Sequence, residues 1–228
     1  MSHKELNPAK KQLLIIVSAL IFVLVTVEIV QAVVLMKDIS GAFEGTIRQY
    51  GDKSLKDATQ TAVSVVQMYY ERYLDGKITY DEMKEDAKEA VISIRYDDGD
   101  GYCWIDDGNY ICIAHPNTKF IGLDRYNTHD DNRVYFIREI IKAGDSGGGF
   151  TEFEFPRLKT NGDYGKRAYT LKFAPLNWYI STGEYTDDID AQVDVANKIA
   201  RDGLVKIISV IAIVGLVMIL DKIKDIFS

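Results

Sequence analysis

Two long apolar runs, one near each end of the chain, constrain this sequence more than anything between them. Residues 13–36 open with an apolar stretch through Val27 that only Ser18 and Thr26 interrupt, and are broken later by Glu28 and Gln31. As a helix rising about 1.5 Å per residue, such a run is long enough to cross a hydrocarbon core of roughly 30 Å. Residues 203–220 form the second run, with Lys206 its one charge, and are of about minimal spanning length. A cleaved signal segment is the competing reading of the first run, because Lys10 and Lys11 precede it and Val30-Gln31-Ala32 resembles a cleavage site. The run is long for that role. A buried core helix competes for the second, against which no amphipathic stripe is visible from Ile207 to Leu220.

Lys4, Lys10 and Lys11 precede the first run, and Lys222 and Lys224 follow the second. Basic residues favour the cytoplasmic side, so both termini are expected inside a cell (inner or plasma) membrane. The predicted order is tail 1–12, span 13–36, extracytoplasmic domain 37–202, span 203–220 and tail 221–228. Lys206 can snorkel to the outer headgroups, whereas Glu28 must face a partner helix, an aqueous pocket or the interface.

The segment between the runs carries 21 basic and 30 acidic residues, a formal −9, which argues against nucleic acid as a partner. Its first half is helical in pattern. Leu55, Ala58, Ala62, Val65, Val66, Tyr69 and Tyr73 recur at three-to-four spacing until Asp75-Gly76. Thr79 with Glu82 is a capping-box signature opening a second helix through Met83, Ala87, Val91 and Ile94.

After Arg95 the pattern becomes that of strands: 102–106 and 109–114 around an Asp107-Gly108 turn, then 150–155, 167–173 and 178–183. A third helix is predicted over 132–142, with Val134, Ile137 and Ile141 on one face. Turn residues, Pro156, Asn161-Gly162, Gly165 and Pro175-Leu176-Asn177 among them, separate the later strands. Five strands in a meander behind a helical lead-in make an α+β domain. From Thr186 the chain is helical again and enters the second apolar run with Gly203 its one breaker.

At this point the residues resemble a known family. Gly101-Tyr102-Cys103-Trp104-Ile105, the hairpin to Ala114-His115-Pro116, Gly122, Gly147-Gly148-Gly149-Phe150, Lys166 with Tyr169, and Trp178 through Tyr185 followed by Asp187-Asp188-Ile189 look like the single-Cache sensor domain. Such domains occur in bacterial and archaeal chemoreceptors and sensor kinases. The resemblance implies a PAS-like antiparallel five-stranded sheet behind a long N-terminal helix, flanked by two transmembrane helices. It also implies a small-molecule ligand of the acetate, propionate, lactate or pyruvate class, and a homodimer. Family members usually continue past the second span into signalling modules, while eight residues, 221–228, remain here. The chain is therefore expected either to act through a separate signalling partner or to be part of a longer receptor.

A two-residue Asp107-Gly108 turn would set Trp104 opposite Ile111 and Tyr102 opposite Ile113, with His115 continuing on their face. An aromatic wall, an imidazole and a nearby cation can hold a small carboxylate. The family's motif supplies Lys166 as the cation and Tyr169 as a hydroxyl donor, so the predicted ligand contacts are Tyr102, Trp104, His115, Lys166 and Tyr169. Arg95 and Arg138 are weaker candidates. The alternative for these residues is a plain core with a solvated lysine. The same register faces Cys103 with Cys112, either as a cross-strand disulfide or as two buried thiols.

Other chemistries lack their residues. The 97–101 acidic loop lacks calcium-loop spacing, the glycine triplet has no following Lys-Ser/Thr, and two cysteines with three histidines give no zinc spacing. No cofactor and no enzymatic activity are expected. The leading expectation is a membrane-anchored sensor. A structural or assembly protein using the same fold is the alternative.

Overall fold

The computed structural model describes residues 7–158, 160 and 162–227. Lys4 of the predicted tail, Asn161 of a predicted turn and Ser228 lie outside them. The chain divides into two compact units, residues 47–191 and the terminal stretches 1–46 and 192–228.

Helices supply the terminal unit, from the beginning of α1 (Pro8–Leu74) and the later part of α4 (Thr186–Phe227). The first predicted span and the helix predicted from Leu55 are thus one continuous element. Both helices are long and apolar enough to cross a membrane, and almost none of their most apolar stretches is buried by protein. Side chains such as Phe22, Leu24, Val214 and Leu216 are exposed. A core helix of a soluble protein would bury them, so that reading of 203–220 is overturned. Small size brings the two runs together at one point: a Cβ on Gly215 would stand 2.8 Å from Val25 Cγ2, the close approach that helices in lipid use.

The other unit is an antiparallel sheet with helices on both faces. After α2 (Tyr80–Ser93) come β1 (Arg95–Tyr96), β2 (Gly101–Asp107) and β3 (Cys112–Ala114). Then follow α3 (Phe136–Asp145), β4 (Gly149–Pro156), β5 (Asp163–Phe173) and β6 (Trp178–Tyr185). Thr79 caps α2 as its sequence predicts: its hydroxyl accepts the Glu82 N–H at 3.2 Å while Glu82 Oε2 accepts the Thr79 N–H at 2.8 Å.

The sheet departs from a five-stranded meander. It has six strands in the order β1-β2-β6-β5-β4, with β3 also on β2. The last strand enters the middle of the sheet, between β2 and β5, so β3 and β4 are not neighbours and α3 lies on the chain between them. The third helix also starts later than its pattern predicts. Asp130 Oδ1 accepts the Val134 N–H at 2.8 Å and Arg133 is left-handed at φ 62°, which holds 130–134 as a turn.

Strand alternation sorts the core. Cys103 and Ile105 of β2, Phe173 of β5 and Trp178 and Ile180 of β6 pack with Ala62 and Val66 of α1 and Ala87 and Val91 of α2. Tyr102 and Trp104, with Phe153, Phe155, Ala168 and Tyr179, pack on the other face against Phe136, Ile137, Ile140 and Ile141 of α3.

The β2–β3 hairpin corrects the predicted register, and with it the disulfide. Asp107 stays in β2 opposite Trp178, and its Oδ1 accepts the N–H groups of Asn109 and Ile111, both at 2.9 Å. The reversal therefore occupies 108–110, with Tyr110 at φ 66°, and a bulge follows, so that Ile105 faces Ala114 and Asp106 faces Cys112. Cys103 pairs along β6 with Thr182. Both cysteines are buried free thiols, and burial pushes them up, to about 11 for Cys103 and about 12 for Cys112.

Candidate ligand-binding site

The sheet face beneath α3 encloses a cavity whose wall includes Tyr102, Trp104, His115, Arg125, Phe136, Phe155 and Lys166. About 10 Å³ at its centre admits the centre of a water molecule, room for roughly one water.

Lys166 enters from β5, opposite Phe153 on β4 and Tyr185 on β6. Gly183 leaves room for its stem, since a Cβ there would stand 3.0 Å from Lys166 Cε and 2.8 Å from the Arg167 carbonyl. The side chain is fully enclosed, at 1% exposure. Its Nζ donates to Tyr102 Oη at 2.7 Å. It lies 4.0 Å from the Tyr102 ring centre, 4.6 Å from Tyr185, 5.2 Å from Trp104 and 5.5 Å from Phe155. Among the described residues no carboxylate pairs with it. Burial, aided by the charge of Arg157, holds the amine well below the ordinary lysine range.

His115 follows β3 and stands edge-on to Tyr102 at 5.3 Å and to Phe120 at 4.9 Å. Its Nδ1 accepts the Asn117 N–H at 2.9 Å, so the neutral ring carries its proton on Nε2, which remains a donor. Burial pushes it down to about 3, helped by the charge of Arg125.

Trp104 is fixed by its indole N–H, which donates to Asp106 Oδ2 at 3.1 Å. Asp106 Oδ1 accepts from Arg125 Nη2 in an ion pair whose side chains are 0% and 4% exposed. Burial pushes the Asp106 carboxyl upward against the pull of Arg125. Arg125 Nε is buried without a hydrogen-bond partner among the described residues. This pair is absent from the sequence reading. Asp106 continues the alternation Tyr102, Trp104, Asp106, which is a legible signal. Arg125, 19 positions away in a loop, offers none.

Four of the five predicted contacts, Tyr102, Trp104, His115 and Lys166, come together in this wall. Tyr169 does not. It lies on the opposite face, its ring 4.9 Å from Phe150 and its carbonyl accepting from Thr59 of α1 at 3.3 Å. It is three residues from Lys166 on one strand, and side chains an odd number apart point to opposite faces. Arg95 is exposed and donates to the Ile94 carbonyl at 2.7 Å. Arg138 is likewise outside the cavity, stacked at 4.0 and 4.1 Å between Tyr126 and Tyr135 and donating to Tyr126 O at 2.7 Å. It clasps the segment covering the cavity, which Asp130 ties to β4 by accepting the Glu154 N–H at 3.0 Å.

The sequence pattern of single Cache domain 2 matches residues 47–198. The chain belongs to this family. Among curated proteins, this Cache chain is 26% identical over 178 residues to the methyl-accepting chemotaxis protein McpP of Pseudomonas putida, covering 77% of the chain and 32% of that protein. It is 25% identical over 192 residues to the sensor histidine kinase MctS of Rhizobium johnstonii, covering 83% of the chain and 41% of that protein. The matched stretch thus spans less than half the length of either.

Among solved structures, a Cache chemosensory domain studied for carboxylic acid recognition superposes with a TM-score of 0.59 at 23% identity, over 62% of this chain and 97% of that one. A methyl-accepting chemotaxis protein from Vibrio parahaemolyticus gives 0.57 at 25% identity, over 66% and 98%. The antiparallel sheet with its long N-terminal helix is therefore the Cache fold, a sensor domain of the kind carried by chemoreceptors and sensor kinases.

Proposed function

We propose that this chain is the sensing portion of a membrane receptor whose Cache domain binds a short monocarboxylate, with both termini cytoplasmic and the domain outside. One observation carries the reading: a fully enclosed lysine that among the described residues meets no carboxylate faces an aromatic cavity. A ligand carboxylate would supply the missing countercharge at Lys166, accept from the phenol of Tyr102 and from His115 Nε2, and lay its short tail against the rings. The solved Cache domain studied for carboxylic acid recognition shares this architecture, and the chemoreceptor and sensor-kinase relatives support a signalling role. The domain is a binder, not a catalyst. Its ligand acts by preferring one packing of the domain over another, and the signal passes to a second copy and to signalling modules in the same or a partner chain.

Space for about one water favours a second reading, an assembly module whose cavity stays closed. The carboxylate reading instead requires the segment over residues 116–135 to give way on binding.

Titration calorimetry on the full chain in detergent micelles, with acetate, propionate, lactate and pyruvate against amine and nucleobase controls, separates the two. Micromolar binding of an acid, lost in Lys166→Gln, is the expected result. Absence of heat with every acid would overturn the reading in favour of the assembly module.

A further inference from the structure

We propose that the site takes up its carboxylate together with one proton, Lys166 standing as an uncharged amine in the empty cavity and as an ammonium in the occupied one. This rests on the carboxylate reading above and adds to it what the receptor measures, the product of anion and proton concentrations, which is proportional to the undissociated acid.

The charges around Lys166 carry the argument. From β2, Tyr102 presents a phenol, and Asp106 is spent on Arg125, which comes from the loop before α3. His115, after β3, is tied through Nδ1 to a backbone N–H. From β4 and α3 the neighbours are Phe153, Phe155, Phe136, Ile137 and Ile140, which carry no charge. From β6, Tyr185 donates its hydroxyl to the Pro156 carbonyl at 2.9 Å. Arg157 stacks on Tyr185 at 4.2 Å and pairs at 2.6 and 2.9 Å with Asp187 and Asp188, in the first turn of α4. The Asp106–Arg125 ion pair in the wall sums to zero, and among the described residues no acid is left to balance an ammonium.

An empty cavity with a charged Lys166 would therefore hold an uncompensated cation among four aromatic rings. The rings' negative faces lower that cost without removing it. Shedding the proton removes it, and burial shifts the amine in that direction. An arriving anion reverses the balance, because an anion beside a neutral amine is as uncompensated as the cation was. The step is a proton transfer with no other bond made or broken: R–COO⁻, H⁺ and the Lys166 amine give an ammonium paired to R–COO⁻. The same product results if R–COOH enters and passes its proton to the amine. Tyr102 does not donate this proton, since burial pushes its phenol upward.

The test is calorimetry on the full chain in detergent micelles with sodium propionate as probe. The measured enthalpy, plotted against buffer ionisation enthalpy in phosphate, HEPES and Tris at pH 7.5, has a slope equal to the protons taken up per acid bound. A slope near one is expected, with a Kd that rises about tenfold per pH unit between pH 7.5 and 9. Binding with a slope near zero and a flat pH profile would overturn the inference while leaving the carboxylate reading intact. Absence of binding by any short acid would overturn both. Lys166→Arg holds its charge at every pH, and proton uptake persisting in a binding-competent Arg variant would place the proton elsewhere and overturn the assignment to Lys166.

Discussion

His115 makes the domain sensitive to mild acid. Its folded value of about 3 lies below the ordinary histidine value of 6.5, so between those two pH values the unfolded chain binds a proton that the fold excludes. The stability this represents is complete above pH 6.5 and is lost as pH falls toward 3. At about 1.4 kcal/mol per pK unit, the loss reaches roughly 2 kcal/mol at pH 5 and about 5 kcal/mol across the whole window. Titrating carboxylates act in the same range, so the informative quantity is a difference. The drop in unfolding free energy from pH 7.5 to pH 5.0 is compared between the wild-type chain and His115→Phe, which fills the same apolar surroundings and cannot take a proton. Urea titration followed by tryptophan fluorescence reads the domain directly, because the chain's two tryptophans, Trp104 and Trp178, are both in it and are 4% and 5% exposed. The wild type should lose about 2 kcal/mol more than the variant. Equal losses would show that His115 protonates freely in the folded domain, and the closed, desolvated wall described above would be wrong.

Lys166→Met should abolish acid binding yet stabilise the ligand-free domain at pH 7 by about 1–3 kcal/mol, read by the same urea titration, because an apolar stem replaces a buried amine without a countercharge. Tyr102→Phe removes the donor beside Lys166 and should weaken propionate binding about tenfold in calorimetry, whereas Tyr169→Phe, on the far face, should change it by less than about twofold. Arg125→Ala leaves Asp106 buried without its partner and should cost about 3–5 kcal/mol of unfolding free energy.

Local chemistry made much of the fold legible. The Thr79–Glu82 box starts α2 where both residues say it should, and the Glu152–Phe153–Glu154–Phe155 alternation is a strand with its phenylalanines inward. What failed was long-range. Nothing in residues 178–185 says that this strand enters the sheet between β2 and β5, because that position depends on how two faces of the sheet are covered. Asp107-Gly108 reads as a two-residue turn, yet Asp107 is held in β2 by its pairing with Trp178, 71 positions away. The turn then forms one residue later and widens, and the cysteine pairing goes with it.

The site shows why some errors of register are harmless and others are not. The observed ladder pairs Ile105 with Ala114 where the two-residue turn would have paired it with Tyr110, a slip of four residues. Four is even, so at that pair the faces are kept and His115 still arrives beside Tyr102 and Trp104, whereas across the bulge, at Asp106 and Cys112, the slip is three and the faces exchange. Lys166 and Tyr169 are separated by three, so no register of β5 can bring both to one cavity. A motif that names both residues, taken without the strand's two-residue period, therefore contained its own contradiction. The buried amine at Lys166 arises only when β2, β4, β6 and α3 close around β5, and among the described residues they bring no acid to pair with it. Sequence shows a lysine in a strand; its lack of a countercharge is a property of four other elements, and on that lack the proposed chemistry depends.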